Sequence, residues 1–277
     1  MLWECITLLR DRGSRQARRF GHDREAVAIA ARHRRCRAAW EPHLEAAKNL
    51  VLTAADTAPG RDTAVILGSG LCLDVPVEEL CARFRRVLLV DVHHPRPARK
   101  LARNHPKLRL ITADVTGMGE TVARAAAAGR PLPDPTSPPE PLPGLRADFT
   151  ISLNLASQLP IPFYKVLDGR VPAEALKRFG RGLIEAHFAW LEGLPGRVGL
   201  VCDRMWEEVD GDGAVVESRD ALEGARPPVP DRAWIWDIAP RPEESHCYDR
   251  RNHVWGYLDF TAARRGTRAV GAGPQGT

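Results

Sequence analysis

Five residues of this 277-residue chain have the types and spacing to hold a ligand. Gly68 and Gly70 follow one apolar run, and Asp91, Asp114 and Asn154 each close a later one. The stretch Ala64-Val-Ile-Leu-Gly-Ser-Gly-Leu-Cys-Leu-Asp74 reads as a buried strand entering a glycine-bearing turn. Glycines at a strand mouth remove the side chains that would keep a backbone away from a ligand. The next run, Arg86-Val-Leu-Leu-Val-Asp-Val92, ends on an acid that can hold a ribose hydroxyl. Together they point to a nucleoside-containing cofactor. Other readings stay open. The glycines also suit a tight βα turn with no ligand, and Asp91 also suits a helix cap or a partner for Arg96 or Arg99. Asp114, in Ala-Asp-Val-Thr-Gly, also suits a plain turn. Asp74, ahead of Pro76, also suits a helix cap. Asn154 is polar at the end of an apolar strand, where open α/β sheets bind ligands.

The elements that must position these residues can be read from periodicity. Trp40, Leu44, Ala47 and Val51 recur at helical spacing in a helical stretch from about 23 to 57, with Asp23 placed to cap it and Pro42 marking a start or kink. Strand Ala64–Leu67 leads to a helix carrying Val77, Leu80 and Phe84. Strand Val87–Val92 leads to a helix at Ala98–Asn104, and strand Leu108–Thr112 to one near Glu120–Ala128. This β-α-β-α-β-α pattern predicts a parallel sheet with right-handed crossovers. Residues 129–146 hold too many prolines for helix or central strand and form a surface loop. Strand Asp148–Leu153 follows, then a helix with Leu176, Phe179, Leu183, His187 and Trp190 on one face, then strand Val198–Cys202. Ala233–Ile238 and His253–Phe260 read as an antiparallel pair closing the sheet.

Composition narrows the class. Hydrophobic residues make up 44% and charged residues 27%, ordinary for a globular enzyme. No apolar run is long enough to span a bilayer, and Met1–Arg10 lacks the basic start and cleavage site of a secretory signal, so a cytoplasmic protein is expected. The six cysteines are scattered without a Cys-x-x-Cys pair, and the adjacent His93 and His94 cannot easily share one ion, so no metal is expected. Residues 1–40 contain ten Arg against four acids, and the remaining chain is close to neutral. No aromatic interleaving supports base stacking there, so a solvated helix face is expected rather than a nucleic-acid surface. Trp40 and His43, one helical turn apart, either roof a ligand or pack the N-terminal helices on the sheet. Asp203-Arg204, and the loop residues His246, Tyr248 and Asp249, are further candidates to meet a substrate.

The order of these motifs resembles the class I S-adenosylmethionine-dependent methyltransferases over about residues 60–260. Val-Ile-Leu-Gly-Ser-Gly is similar to that family's first motif, and Leu-Leu-Val-Asp91 to the second strand, whose acid binds the cofactor ribose. Leu-Ile-Thr-Ala-Asp114 resembles the acid near the adenine. Phe-Thr-Ile-Ser-Leu-Asn154 resembles the fourth strand, whose end faces the methyl group. The chain departs from the family at Ile66, where an acid is common, and at Cys72, where a third glycine is common. Asp74, just past the turn, is placed to substitute for the missing acid.

The resemblance implies an open, mostly parallel, seven-stranded Rossmann-like α/β sheet with helices on both faces and a terminal antiparallel hairpin. The expected layout is a basic N-terminal helical cap (1–57), the Rossmann-like domain (58–265, with the proline-rich loop 129–146) and a flexible tail (266–277). S-adenosylmethionine is the implied cofactor, held by Gly68, Gly70, Asp74, Asp91 and Asp114, with Asn154 at the transfer site and a small-molecule acceptor. Two other classes compete. A nonenzymatic protein of this fold would bind a partner through the basic helices. An NAD-dependent oxidoreductase would use the same glycines and Asp91, but wants a third glycine near Leu73 and does not predict the hairpin. A pterin or nucleotide transferase with a Gly-Ser-Gly opening is a more distant resemblance.

Overall fold

The computed structural model describes residues 13–138 and 140–271, so the expectations for Met1–Arg10 and for the tail beyond Gly271 fall outside it. Three helices come first, α1 (Arg15–Arg19), α2 (His22–Arg35) and α3 (Arg37–Asp56). The break lies at Cys36 and not at Pro42, which sits inside α3. Buried Trp40, Ala47, Leu50 and Val51 hold α3 in place despite the one hydrogen bond Pro42 removes. Asp23 is not the cap of α2 either. Gly21, at φ +76°, precedes that helix, and Asp23 Oδ1 accepts instead from the Arg24 N–H at 2.9 Å.

The sheet strands are β1 (Thr63–Leu67), β2 (Arg86–Asp91), β3 (Leu108–Thr112), β4 (Phe149–Leu153), β5 (Arg197–Val209), β6 (Val215–Asp220), β7 (Arg232–Ala239) and β8 (Asp249–Tyr257). Their spatial order is β3-β2-β1-β4-β5-β8-β7, with β6 paired to the outer half of β5. Strands β1 to β5 run parallel, and β8 is inserted antiparallel between β5 and β7. This is the open, mostly parallel sheet with a terminal antiparallel hairpin expected from the sequence, with eight strands in place of seven. The additional strand, β6, is reached through Asp210-Gly-Asp-Gly213, where Asp210 Oδ1 accepts from the N–H groups of Asp212 and Ala214. An Asp-Gly turn is a hairpin signal, but the exposed, polar Val215–Asp220 lacks the apolar alternation that marks a strand. Phe260, expected at the end of the last strand, begins a helix instead.

The alternation of β1 shows why the sheet needs cover on both faces. Ala64 and Ile66 pack with α3 and with α4 (Val77–Arg83). Val65 and Leu67 pack on the other face with Ile184, Phe188 and Leu191 of α8 (Ala173–Gly193) and with Phe260 of α9 (Phe260–Gly271). All five β1 residues are buried, the mark of a central parallel strand. Helices α5 (Arg96–Asn104), α6 (Gly119–Ala127) and α7 (Ile161–Leu167) complete the crossovers. The described part of residues 129–146 forms no helix or strand. Helix α9 extends through 266–271, where a flexible tail was expected.

Gly256 sets how closely the cap docks. A methyl group there would run into Leu50 Cδ1 of α3 and come within 2.9 Å of the Trp234 ring. Gly256→Ala is expected to lower stability by about 1–3 kcal/mol, the usual cost of overpacking, as measured by urea unfolding.

Candidate functional site

Reversal of strand order between β1 and β4 opens a crevice at the carboxyl ends of these strands, the usual ligand position in an open α/β sheet. The crevice is a cavity of about 1690 Å³, lined by all six residues expected to bind or transfer: Gly68, Gly70, Asp74, Asp91, Asp114 and Asn154. The cap roofs it with Phe20, His22, Ile29, Trp40 and His43.

The glycine turn is built from the sheet. The Gly68 N–H donates to the Val90 carbonyl at 2.9 Å, and the Gly70 N–H donates to Asp91 Oδ2 at 2.8 Å. Asp91 Oδ1 accepts from the His93 N–H at 3.2 Å. Asp91 is not the cap of α5, which follows Pro95 without a side-chain cap bond. Gly68 and Gly70 lie at φ +80° and +43°, a region costly for residues with a Cβ. Cys72 lies there as well, at φ +58°. The backbone thus keeps the conformation that a third glycine would supply, although the side chain is a cysteine. Burial pushes its thiol up to about 12, with Asp74 and Asp91 adding to the shift.

Asp114 ties its own turn together. Its Oδ1 accepts from the Thr116 N–H at 2.9 Å and hydroxyl at 2.6 Å, and its Oδ2 from the Gly119 N–H at 2.8 Å. The turn reading and a place on the cavity wall therefore hold together. The cap brings His22 to this side, where burial lowers its pKa and Asp91 and Asp114 oppose that shift.

Asp74 does not cap α4, whose first turn follows Pro76 without a side-chain cap bond. It lies 2.7 Å, through Oδ2, from the Asn154 carboxamide, which is also 3.3 Å from His43 Nε2. Burial raises the Asp74 pKa, and the bond to Asn154 opposes this. Asn154 sits at φ +48°, and its N–H donates to Val201 O at 2.9 Å. His43 stacks on Trp236 with ring centroids 4.0 Å apart. Trp40, 3% exposed, donates its indole N–H to Ile238 O at 2.9 Å. Trp40 and His43 pack the cap on β7, as one sequence reading has it, and they also line the cavity.

No protein-family model and no curated protein matches this chain. Several solved structures resemble it. One is the N-methyltransferase NodS from Bradyrhizobium japonicum WM9 with S-adenosylhomocysteine, 11% identical over 77% of this chain and 86% of that one, at a TM-score of 0.35. A second is magnesium protoporphyrin IX methyltransferase from Synechocystis PCC 6803 with bound S-adenosylmethionine, 11% identical over 77% and 79%, at 0.36. A third is an rRNA methylase from Streptococcus thermophilus, 14% identical over 75% and 94%, at 0.33.

The far side of the cavity holds residues that the sequence only hinted at. Asp203 lies two residues beyond Val201 on β5, so it faces the same side of the sheet, about 7 Å further along than the Val201 partner position. It is 5% exposed, and its Oδ2 accepts from the Ser157 hydroxyl at 3.0 Å. Burial pushes its carboxyl up to about 6, held back by Ser157 and Asn252. Trp206 sits beside it on the cavity wall, with the Arg250 guanidinium 4.1 Å over its ring. Arg204, by contrast, pairs with Asp220 at 2.5 Å. His246 and Tyr248 are exposed and off the cavity, and Asp249 pairs with Arg241 at 3.1 Å. The sequence places Asp203 after the fifth strand as a candidate, but its burial carries no sequence signal of its own.

His94 Nε2 lies 3.0 Å from Ile111 O, and among the described residues no cluster of three His, Cys, Asp or Glu side chains could hold a metal ion. Among them, too, no helix is long and apolar enough to cross a membrane. Part of the basic charge of the cap is used internally, since Arg32 and Arg35 pair with Glu244 and Glu243 at 2.5 Å each.

Proposed function

We propose that this chain transfers a methyl group from S-adenosylmethionine to a small-molecule acceptor in the cytoplasm. The observation that carries the reading is the Gly68–Gly70 turn, tied through Gly70 N–H to Asp91 at the mouth of a cavity. The fit of the cofactor rests on space and on free polar groups. A Cβ built on Gly70 meets nothing within 4 Å, so the turn is open toward the cavity. Asp91 uses one lone pair of each oxygen for backbone N–H groups and keeps the others for ribose hydroxyls. Asp74, on the cavity wall, offers the carboxyl group that Ile66, buried in β1, does not. Bound there, S-adenosylmethionine supplies a methyl group on a positively charged sulfur.

The residues of the chain then align and enclose. Gly68 and Gly70 admit the methionine end, Asp91 holds the ribose, and the loop closed by Asp114 borders the base. Asn154 flanks the transfer point. Phe20 and helices α2 and α3 roof the cavity, and this enclosure favours an in-line displacement. Where the acceptor carries a proton on its nucleophilic atom, Asp203 takes it. The roof supports a small acceptor over a polymer. Against the partner-binding reading, part of the basic charge of the cap is spent on Glu243 and Glu244.

Calorimetric titration checks the cofactor. S-adenosylhomocysteine is expected to bind at micromolar Kd, NAD and GTP not to bind, and Asp91→Ala to weaken binding at least about 100-fold, the loss of two charge-assisted hydrogen bonds. Tight NAD binding would favour the oxidoreductase, and binding of none of the three the nonenzymatic protein.

A further inference from the structure

The groups around Asn154 cannot satisfy one another if Asp74 is ionised. Trp234 lies with its indole nitrogen 3.0 Å from His43 Nδ1, and an indole N–H can only donate. His43 Nδ1 therefore presents a lone pair. Burial drives the pKa of this imidazole down to about 3, so the ring is neutral and carries its proton on Nε2. That N–H faces one terminal atom of the Asn154 carboxamide at 3.3 Å, and the same atom lies 2.7 Å from Asp74 Oδ2.

Nitrogen at this place sets two N–H donors against each other. A half-turn of the carboxamide exchanges its nitrogen and oxygen without moving either position. Oxygen there accepts from His43, but it then meets an Asp74 oxygen. Two oxygens at 2.7 Å form a hydrogen bond only when one carries a proton. The other carboxamide atom, placed as oxygen, is buried without a donor, so no bond there holds the carboxamide in that orientation. Burial opposes the charge of Asp74, Lys48 on α3 and the Asp74 backbone N–H favour it, and Cys72 is a neutral thiol.

We propose that Asp74 is protonated in the ligand-free protein, kept so by His43 through Asn154, and releases its proton when a ligand ammonium group docks against it. The ligand-selecting half rests on the cofactor reading above, whereas the protonation of Asp74 stands on the hydrogen bonds alone. No covalent bond beyond the O–H bond changes. A neutral carboxyl and an ammonium ion become a carboxylate–ammonium pair, and one proton passes to solvent. Asp74 is thus a specificity residue for a cationic amino-acid end, and His43 is a positioning residue contributed by the cap.

Two measurements on the full chain test this. Infrared difference spectra of the ligand-free protein near neutral pH are expected to show the carbonyl stretch of a protonated carboxyl that Asp74→Asn lacks. Calorimetry with S-adenosylhomocysteine, in buffers of different ionisation enthalpy, is expected to show one proton released per ligand. 5′-Methylthioadenosine, which has no amino-acid end, should release none, and Asp74→Asn should release none with either. His43→Phe keeps a ring on Trp236 but removes both nitrogens, and it should reduce the proton count. Identical infrared spectra for wild type and Asp74→Asn, or S-adenosylhomocysteine binding without proton release, overturn the proposal. An unchanged count in His43→Phe removes His43 from it. If the carboxyl band is present but S-adenosylhomocysteine does not bind, the protonated Asp74 stands and the cofactor reading falls.

Discussion

Asp203→Asn is expected to stabilise this protein by up to about 3 kcal/mol at neutral pH, and by little near pH 4. The reason is the burial of a carboxyl that is 5% exposed. Its pKa rises from the ordinary 3.8 to about 6, so between those values the folded chain holds a proton that the unfolded chain has lost. Stability therefore declines as pH rises through that window, and above it the full cost of a buried charge is present. The asparagine keeps an oxygen to accept from Ser157 and carries no charge to desolvate. Thermal unfolding at several pH values reads the effect directly. A melting temperature for Asp203→Asn equal to that of the wild type at neutral pH would show that Asp203 is solvated, and it would remove this residue as the proton acceptor. A group kept at a cost in stability, on the wall of the cavity, is what a role in chemistry predicts.

Gly68→Ala and Gly70→Ala are expected to fail in different ways. Both glycines have positive φ, so either substitution incurs about 1–2 kcal/mol of backbone strain. At Gly68 the new methyl also meets the Leu153 carbonyl oxygen at 2.9 Å and Leu155 Cβ at 3.1 Å, atoms of a β4 end that cannot move freely. Its total cost is expected at about 3 kcal/mol or more, seen as a large fall in melting temperature. At Gly70 the methyl meets nothing within 4 Å, on the wall of the cavity. This variant should fold with only the strain penalty and yet lose S-adenosylhomocysteine binding by about 100-fold or more, since a clash at the cofactor replaces a close backbone approach. Calorimetry beside a thermal melt separates the two. Gly70→Ala with undiminished binding would place the cofactor away from this turn.

The parallel half of the fold was legible because each strand is a short apolar run followed by turn chemistry. Val-Ile-Leu before Gly68 and Leu-Leu-Val before Asp91 declare both the strand and the end that opens on the cavity. The hairpin of β7 and β8 was visible for the same reason. Strand β6 was not, because its burial is slight and its sequence, Val-Val-Glu-Ser-Arg-Asp, lacks the pattern that packing against a core imposes. Pro42 misled because α3 is held by tertiary burial, which outweighs a single lost hydrogen bond. Asp23 and Asp74 misled as caps because their side chains found other partners.

Local chemistry in the chain determined the turn at Gly68–Gly70, the acid at Asp91 and the polar strand end at Asn154, since a strand, its terminating glycine and its face are set by neighbours in sequence. Only the tertiary structure decided what these residues surround. Asp74, Asn154, His43 and Trp234 are spread over 191 positions between His43 and Trp234 and meet only when α3 docks on β7 and β8. Asp203 acquires its raised pKa from burial between β5, Ser157 and Asn252, which no local pattern records. Backbone conformation is a short-range property, whereas desolvation and hydrogen-bond partnership depend on everything that closes around a group.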